Sequence, residues 1–131
     1  MLVRLVRTDH GWRTLADELG FRCPPALLEL GRASEHQVVH IDDDHGWDLL
    51  FPEQAREARQ FLAHLATDFP AVGERSRMVP VFGQDGDLLL LAPDERVWMF
   101  THDDWDNDGV VAESFDALLV LLAGRRRIAR L

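Results

Sequence analysis

Between Met78 and Leu122 the apolar residues fall into tight runs separated by turn residues. Val79–Phe82 reads as a strand, followed by the turn Gly83-Gln84-Asp85-Gly86-Asp87 and a second strand, Leu88–Ala92. The turn Pro93-Asp94-Glu95-Arg96 leads to a third strand, Val97–Thr101. An acidic loop, His102–Gly109, precedes a short strand at Val110–Ala112 and a helix from about Phe115 to Ala123. Short apolar runs between turn residues are the signature of an antiparallel meander. The helix rests on Phe115, Leu118, Leu119 and Leu122, which keep an i, i+3, i+4, i+7 spacing. Ser114 offers an N-cap oxygen, Asp116 suits the positive helix N-terminus, and Gly124 stops the helix.

The first half of the chain is more helical. Residues 1–8 are ambiguous between a short strand and the lead-in to a helix. Trp12, Leu15, Ala16 and Leu19 form a helical stripe with Gly20 as its stop. Pro24-Pro25 opens a second short helix, with Leu27, Leu28 and Leu30 apolar and Gly31 at its end. The β-branched residues of Gln37–Ile41 predict a strand. The turn Asp42-Asp43-Asp44-His45-Gly46 and a returning strand at Trp47–Phe51 make it a hairpin. Pro52 starts the longest helix, which runs to about Asp68 before Pro70, with Ala55, Ala58, Phe61, Leu62, Leu65 and Phe69 facing the core. Val72–Met78 reads as a linker. Together these elements predict an α+β fold in which helices pack against an antiparallel meander. A single domain covers 1–131, with a short basic tail at 125–131. Leu88–Leu91 and Val97–Phe100 are apolar at successive positions, which predicts central strands covered on both faces, or one face kept for a partner.

The order of motifs in the C-terminal half resembles the SMI1/KNR4 family of the SUKH superfamily. Gly83, Asp85, Gly86 and Asp87 match its glycine-aspartate turn loosely, with Gln84 and Asp85 where several members carry glycine. Val97, Trp98 and Phe100 match its aromatic strand, His102-Asp103 the step after it, and Ser114-Phe115 the start of its closing helix. The resemblance covers about the last 45 residues well and the rest only by helix order; the family's usual Leu-Pro is Cys23-Pro24 here. It implies a bacterial immunity protein that binds and neutralises a cognate toxin, or a regulatory or scaffold module like the family's fungal members.

Charge sharpens this expectation. The chain of 131 residues has a formal net charge of −9, yet four of its 14 basic residues, all arginines, lie in the last seven positions. Residues 1–124 therefore hold 23 acids against 10 arginines, a balance of −13. Such a surface repels nucleic acid and attracts basic partners. The lone Cys23 asks for no oxidising compartment, and no apolar stretch approaches the ~20 residues that span a bilayer, so a cytoplasmic, non-membrane protein is expected.

Catalytic signals are sparse. Asp104-Trp105-Asp106-Asn107-Asp108-Gly109 matches the first half of a calcium loop, but Phe115 stands where the bidentate acid belongs. His40 and His45 flank Asp42–Asp44, and His102 precedes Asp103-Asp104, without the spacing of a zinc motif. No nucleophile elbow, phosphate loop or dinucleotide fingerprint occurs. The expectation is a protein without catalytic residues, metal or cofactor, with a metal-dependent enzyme as the third reading. The expected partner is a basic toxin domain, and oligomeric state is left open. Asp42, Asp43, Asp44, Asp85, Asp87, His102, Asp103, Asp104, Trp105 and Asp106 are the candidate partner-binding residues, with Trp105 the aromatic anchor.

Overall fold

The computed structural model describes residues 8–33, 40–42, 46–103, 108–124 and 128–131. Four helices accompany six strands: α1 (Thr8–Leu19), α2 (Pro25–Ala33), β1 (His40–Asp42), β2 (Trp47–Leu49), α3 (Pro52–Asp68), β3 (Val79–Gln84), β4 (Asp87–Leu91), β5 (Val97–Phe100), β6 (Gly109–Ala112) and α4 (Phe115–Ala123). The segment read as a linker, Val72–Met78, begins at the last residue of one 3-10 turn, Pro70–Val72, and holds a second, Arg75–Arg77. Gly20 ends α1, its N–H returning to the Ala16 carbonyl at 2.8 Å. Gly31 does not end α2. It lies buried inside the helix, which runs two residues further. Gln54 accepts the Phe51 N–H at 2.8 Å and secures the start of α3 behind Pro52.

The strands lie in sequence order, β1 to β6, and every neighbouring pair is antiparallel. This is the expected meander, with β2–β6 as its body and the three-residue β1 at one edge. The first strand was expected over 37–41; residues 34–39 lie outside the described part. The β3–β4 turn is tighter than the pattern implied. Pairing continues through Gly83↔Leu88 and Gln84↔Asp87, which leaves only Asp85 and Gly86 between the strands. Both have positive φ, 48° and 91°, as a two-residue hairpin turn with the sheet's own twist requires.

Side chains alternate across a strand, so the leucines of β4 serve two cores. Leu89 and Leu91 join Val79, Val81, Val97 and Val111 beneath α1, α2 and α4, where Trp12, Leu27 and Leu118 are fully buried. Leu90 joins Met78, Phe100, Leu62 and Val72 on the α3 side, with Leu88 and Trp98 packed against them. The run Leu88–Leu91 is apolar throughout because both faces of the sheet are covered. Trp47 is buried in the first core.

On α3, Ala55 and Leu62 are buried, and Ala58 and Leu65 half-buried. Phe61 and Phe69, expected in the core, are 54% and 47% exposed. Each residue turns about 100° around a helix axis, so Phe61 falls on the flank of the Ala55–Leu62 stripe. Phe69 follows the last helical residue and escapes its periodicity.

Residues beyond α4 return to the sheet. Ile128 is buried in the first core, and the Leu131 N–H bonds the Val110 carbonyl on the outer side of β6 at 2.8 Å. Among the described residues, no helix is long and apolar enough to cross a membrane.

Leu118 is fully buried, whereas Leu119 is half-buried and Val120 is 72% exposed. Leu118→Ala should cost about 2–5 kcal/mol in urea unfolding, as core truncations do, and Val120→Ala less than about 0.5 kcal/mol. Equal effects at the two positions would refute the orientation of α4.

Candidate functional site

In a sequence-ordered antiparallel sheet, alternate connections emerge at the same end. The β1–β2, β3–β4 and β5–β6 connections therefore share one end of this sheet, and they hold its densest acids. Asp42 ends β1, Asp85 and Asp87 flank Gly86 in the β3–β4 turn, and Asp103 follows β5. The remaining candidates, Asp43, Asp44, Asp104, Trp105 and Asp106, lie outside the described residues, as do His45 and Asn107.

Two of these connections are directly bonded. The Asp87 carboxylate oxygen Oδ1 accepts the His102 backbone N–H at 3.0 Å and lies 2.7 Å from His102 Nδ1. Asp87 thus sets the position of the chain as it leaves β5. The hydrogen bond to Asp87 raises the His102 pKa; desolvation opposes the rise, and the nearby carboxylates of Asp103, Asp87 and Asp85 add to it. The contribution of this contact to stability is complete below the ordinary histidine pKa near 6.5. It is lost as pH rises through the raised value.

Asp108 plays another part. Its side chain is completely buried, and Oδ1 accepts both the Thr101 N–H and the Thr101 hydroxyl, each at 2.9 Å. Oδ2 stands 3.2 Å from Nε of the buried Arg75, off the N–H direction, so the contact is an ion pair more than a directed hydrogen bond. Arg75 also donates through Nη2 to the Ala71 carbonyl at 3.1 Å. The base of the acidic loop is pinned to the second 3-10 turn. The third carboxylate of the D-x-D-x-D-G pattern is therefore turned into the protein and bound to Thr101 and Arg75, which removes it from a calcium ligand set.

One group has the composition of a metal site. Ligand atoms of Asp87, His102 and Asp103 lie within 4.8 Å of one another. Yet the His102–Asp87 contact places the Nδ1 proton between the two groups, and a cation bound through Nδ1 would have to displace it.

The charge balance at the two ends of the sheet differs. On the β4–β5 turn, at the other end, Asp94 pairs with Arg96 at 2.8 Å and Glu95 approaches Arg22 at 3.8 Å. At the acidic end, none of Asp85, Asp87 and Asp103 is paired with an arginine among the described residues. A groove of about 380 Å³ opens beside these acids, between the β3–β4 turn, the end of β2 and the start of α3. It brings in Asp48, a carboxylate that sequence reasoning missed because only the β2–β3 register places it near Asp85. Arg75 was missed because no local pattern marks a partner distant in sequence.

No family model, curated protein or solved structure matches this chain.

Two outcomes are expected here. Asp87→Asn should return the His102 imidazole titration, followed by NMR, toward the ordinary value; an unchanged titration would contradict the observed contact. Arg75→Met leaves a buried carboxylate without its counter-charge and should cost about 3–5 kcal/mol in urea unfolding. The pair Arg75→Met, Asp108→Asn should recover part of that loss, and a cost equal to the sum of the single changes would argue against coupling.

Proposed function

We propose that this chain is a non-enzymatic binding protein that neutralises a basic protein partner, of the immunity type that the resemblance to SMI1/KNR4 proteins implies. The observation that carries this reading is the unequal treatment of acids at the two ends of the sheet. Carboxylates on the β4–β5 turn have arginine partners, whereas Asp85, Asp87 and Asp103 at the other end have none among the described residues. Like charges gathered at one edge repel one another, and a basic partner would relieve that repulsion on docking. A toxin that cuts nucleic acid needs positive charge to hold a phosphate backbone, and an acidic sheet end would compete for that same surface. His102, held protonated more readily by Asp87, gives the patch one donor among its acceptors.

A second reading has one observation in its favour. The Asp87, His102 and Asp103 ligand atoms lie close enough to share a divalent cation, which a metal-dependent enzyme would use. Activity abolished by a chelator and restored by added metal would favour it over the first.

The test begins with the full chain as bait, followed by surface-plasmon kinetics against the partner recovered. The partner should be a basic protein, and its association rate should fall as salt rises. Asp103→Arg, Asp104→Arg should slow association at least tenfold, while the circular-dichroism spectrum stays that of the wild type. Trp105→Ala should instead speed release. An acidic partner, or wild-type rates in folded variants, would overturn the proposal.

A further inference from the structure

We propose that the outer flank of α3 is a docking surface for an amphipathic helix of the protein partner, one whose apolar stripe is bracketed by arginine or lysine. The inference rests on the binding function proposed above and adds to it a second surface, built from residues other than the acids at the sheet end.

Phe61 is the large apolar side chain that α3 leaves in solvent, 54% exposed. Ala58 and Leu65, both half-buried, lie three residues before it and four after, so the three form one short apolar strip. Leu65 packs inward against the cluster that holds Leu62, Leu90 and Phe100, which ties the strip to the core. An exposed phenylalanine alone needs no explanation. Here the charges of the helix are also sorted around it.

Each residue turns about 100° around the axis, so Glu57 and Asp68 fall within roughly 40° of Phe61, and Arg56 and Arg59 more than about 130° away. Both arginines are already engaged within the fold. Arg56 donates to Glu18 of α1 at 2.7 Å, and Arg59 to the Arg77 carbonyl at 3.4 Å. Glu57 and Asp68 are exposed, and neither forms an ion pair among the described residues.

That sorting identifies the occupant. A second copy of this chain would bring one acidic patch against another, and an acidic partner or a nucleic acid would meet the same repulsion. A basic partner answers both carboxylates. Glu57 and Asp68 are eleven residues apart in one helix, about 16 Å along its axis. A partner helix lying along α3 matches that interval with basic residues three turns apart and apolar residues between them. The aromatic ring then sits at the centre of the contact and the charges at its rim, the usual build of a binding anchor.

The experiment uses the isotope-labelled full chain at physiological salt. The probe is a helical peptide with a leucine stripe and arginines three turns apart, and its control carries glutamate in place of arginine. Amide resonances are followed during each titration. The arginine peptide should shift the amides of Glu57, Phe61, Leu65 and Asp68 saturably, and the glutamate peptide should not. Phe61→Gln removes the ring from an exposed helical position without changing any charge and should weaken the arginine peptide at least tenfold. The pair Glu57→Gln, Asp68→Asn should weaken it by a similar factor with Phe61 in place, so the proposal stays testable if the Phe61 variant fails to fold. Val120→Gln, on the exposed side of α4, should bind as the wild type does. Wild-type affinity in the α3 variants, with shifts confined to Asp85, His102 and Asp103, would overturn the α3 surface and leave the acidic-end function standing. Equal binding of the two peptides, or no saturable shift with either, would overturn the α3 proposal as well. Self-association of the unliganded chain that Phe61→Gln abolishes would assign the flank to a second copy and overturn the partner helix.

Discussion

A carboxylate removed from water needs its charge answered, and in this fold Arg75 answers Asp108. The pair joins parts of the molecule that share no helix or strand. Arg75 belongs to the second 3-10 turn after α3, on one face of the sheet, while Asp108 immediately precedes β6. Through Thr101, Asp108 also holds the end of β5, so both ends of the acidic connection are fixed at its base.

Displaying acids at one edge has a cost, because like charges lower the stability of the compact state. The fold limits that cost in two ways. Asp87 shares its charge with His102, and Asp108 is matched internally. Among the described residues of this end, Asp85 and Asp103 are exposed and Asp87 is half-buried. Salt screens such charges over about 10 Å at 0.1 M, so the repulsion among them weakens as ionic strength rises.

Much of the architecture was legible in the chain itself. Proline at the start of α3 and serine before α4 each have one local physical meaning, and the structure uses each in that way; the continuous leucines of β4 allowed two readings, and the structure covers both faces. The three acidic connections were also legible, and consecutive pairing explains why they share an end. Phase and register were less so. Phe61 and Phe69 are apolar, yet a shift of one residue on a helix decides between core and flank. The β3–β4 turn looked long because Gly83 and Gln84 resemble turn residues, whereas the hydrogen-bond ladder carries them as strand. Asp108 looked like one more member of an acidic loop. Only the long-range approach of Arg75 distinguishes it, and nothing within a window of neighbours signals that approach.

The hydrogen bond from Leu131 to Val110 bears on how the sheet avoids unwanted company. β6 is an outer strand, and an outer strand offers its free backbone groups to any other extended chain. Here Leu131 takes up the Val110 carbonyl, and burial of Ile128 in the first core holds the segment in place. Detachment of 128–131 would open that flank and give neighbouring molecules a border on which to pair.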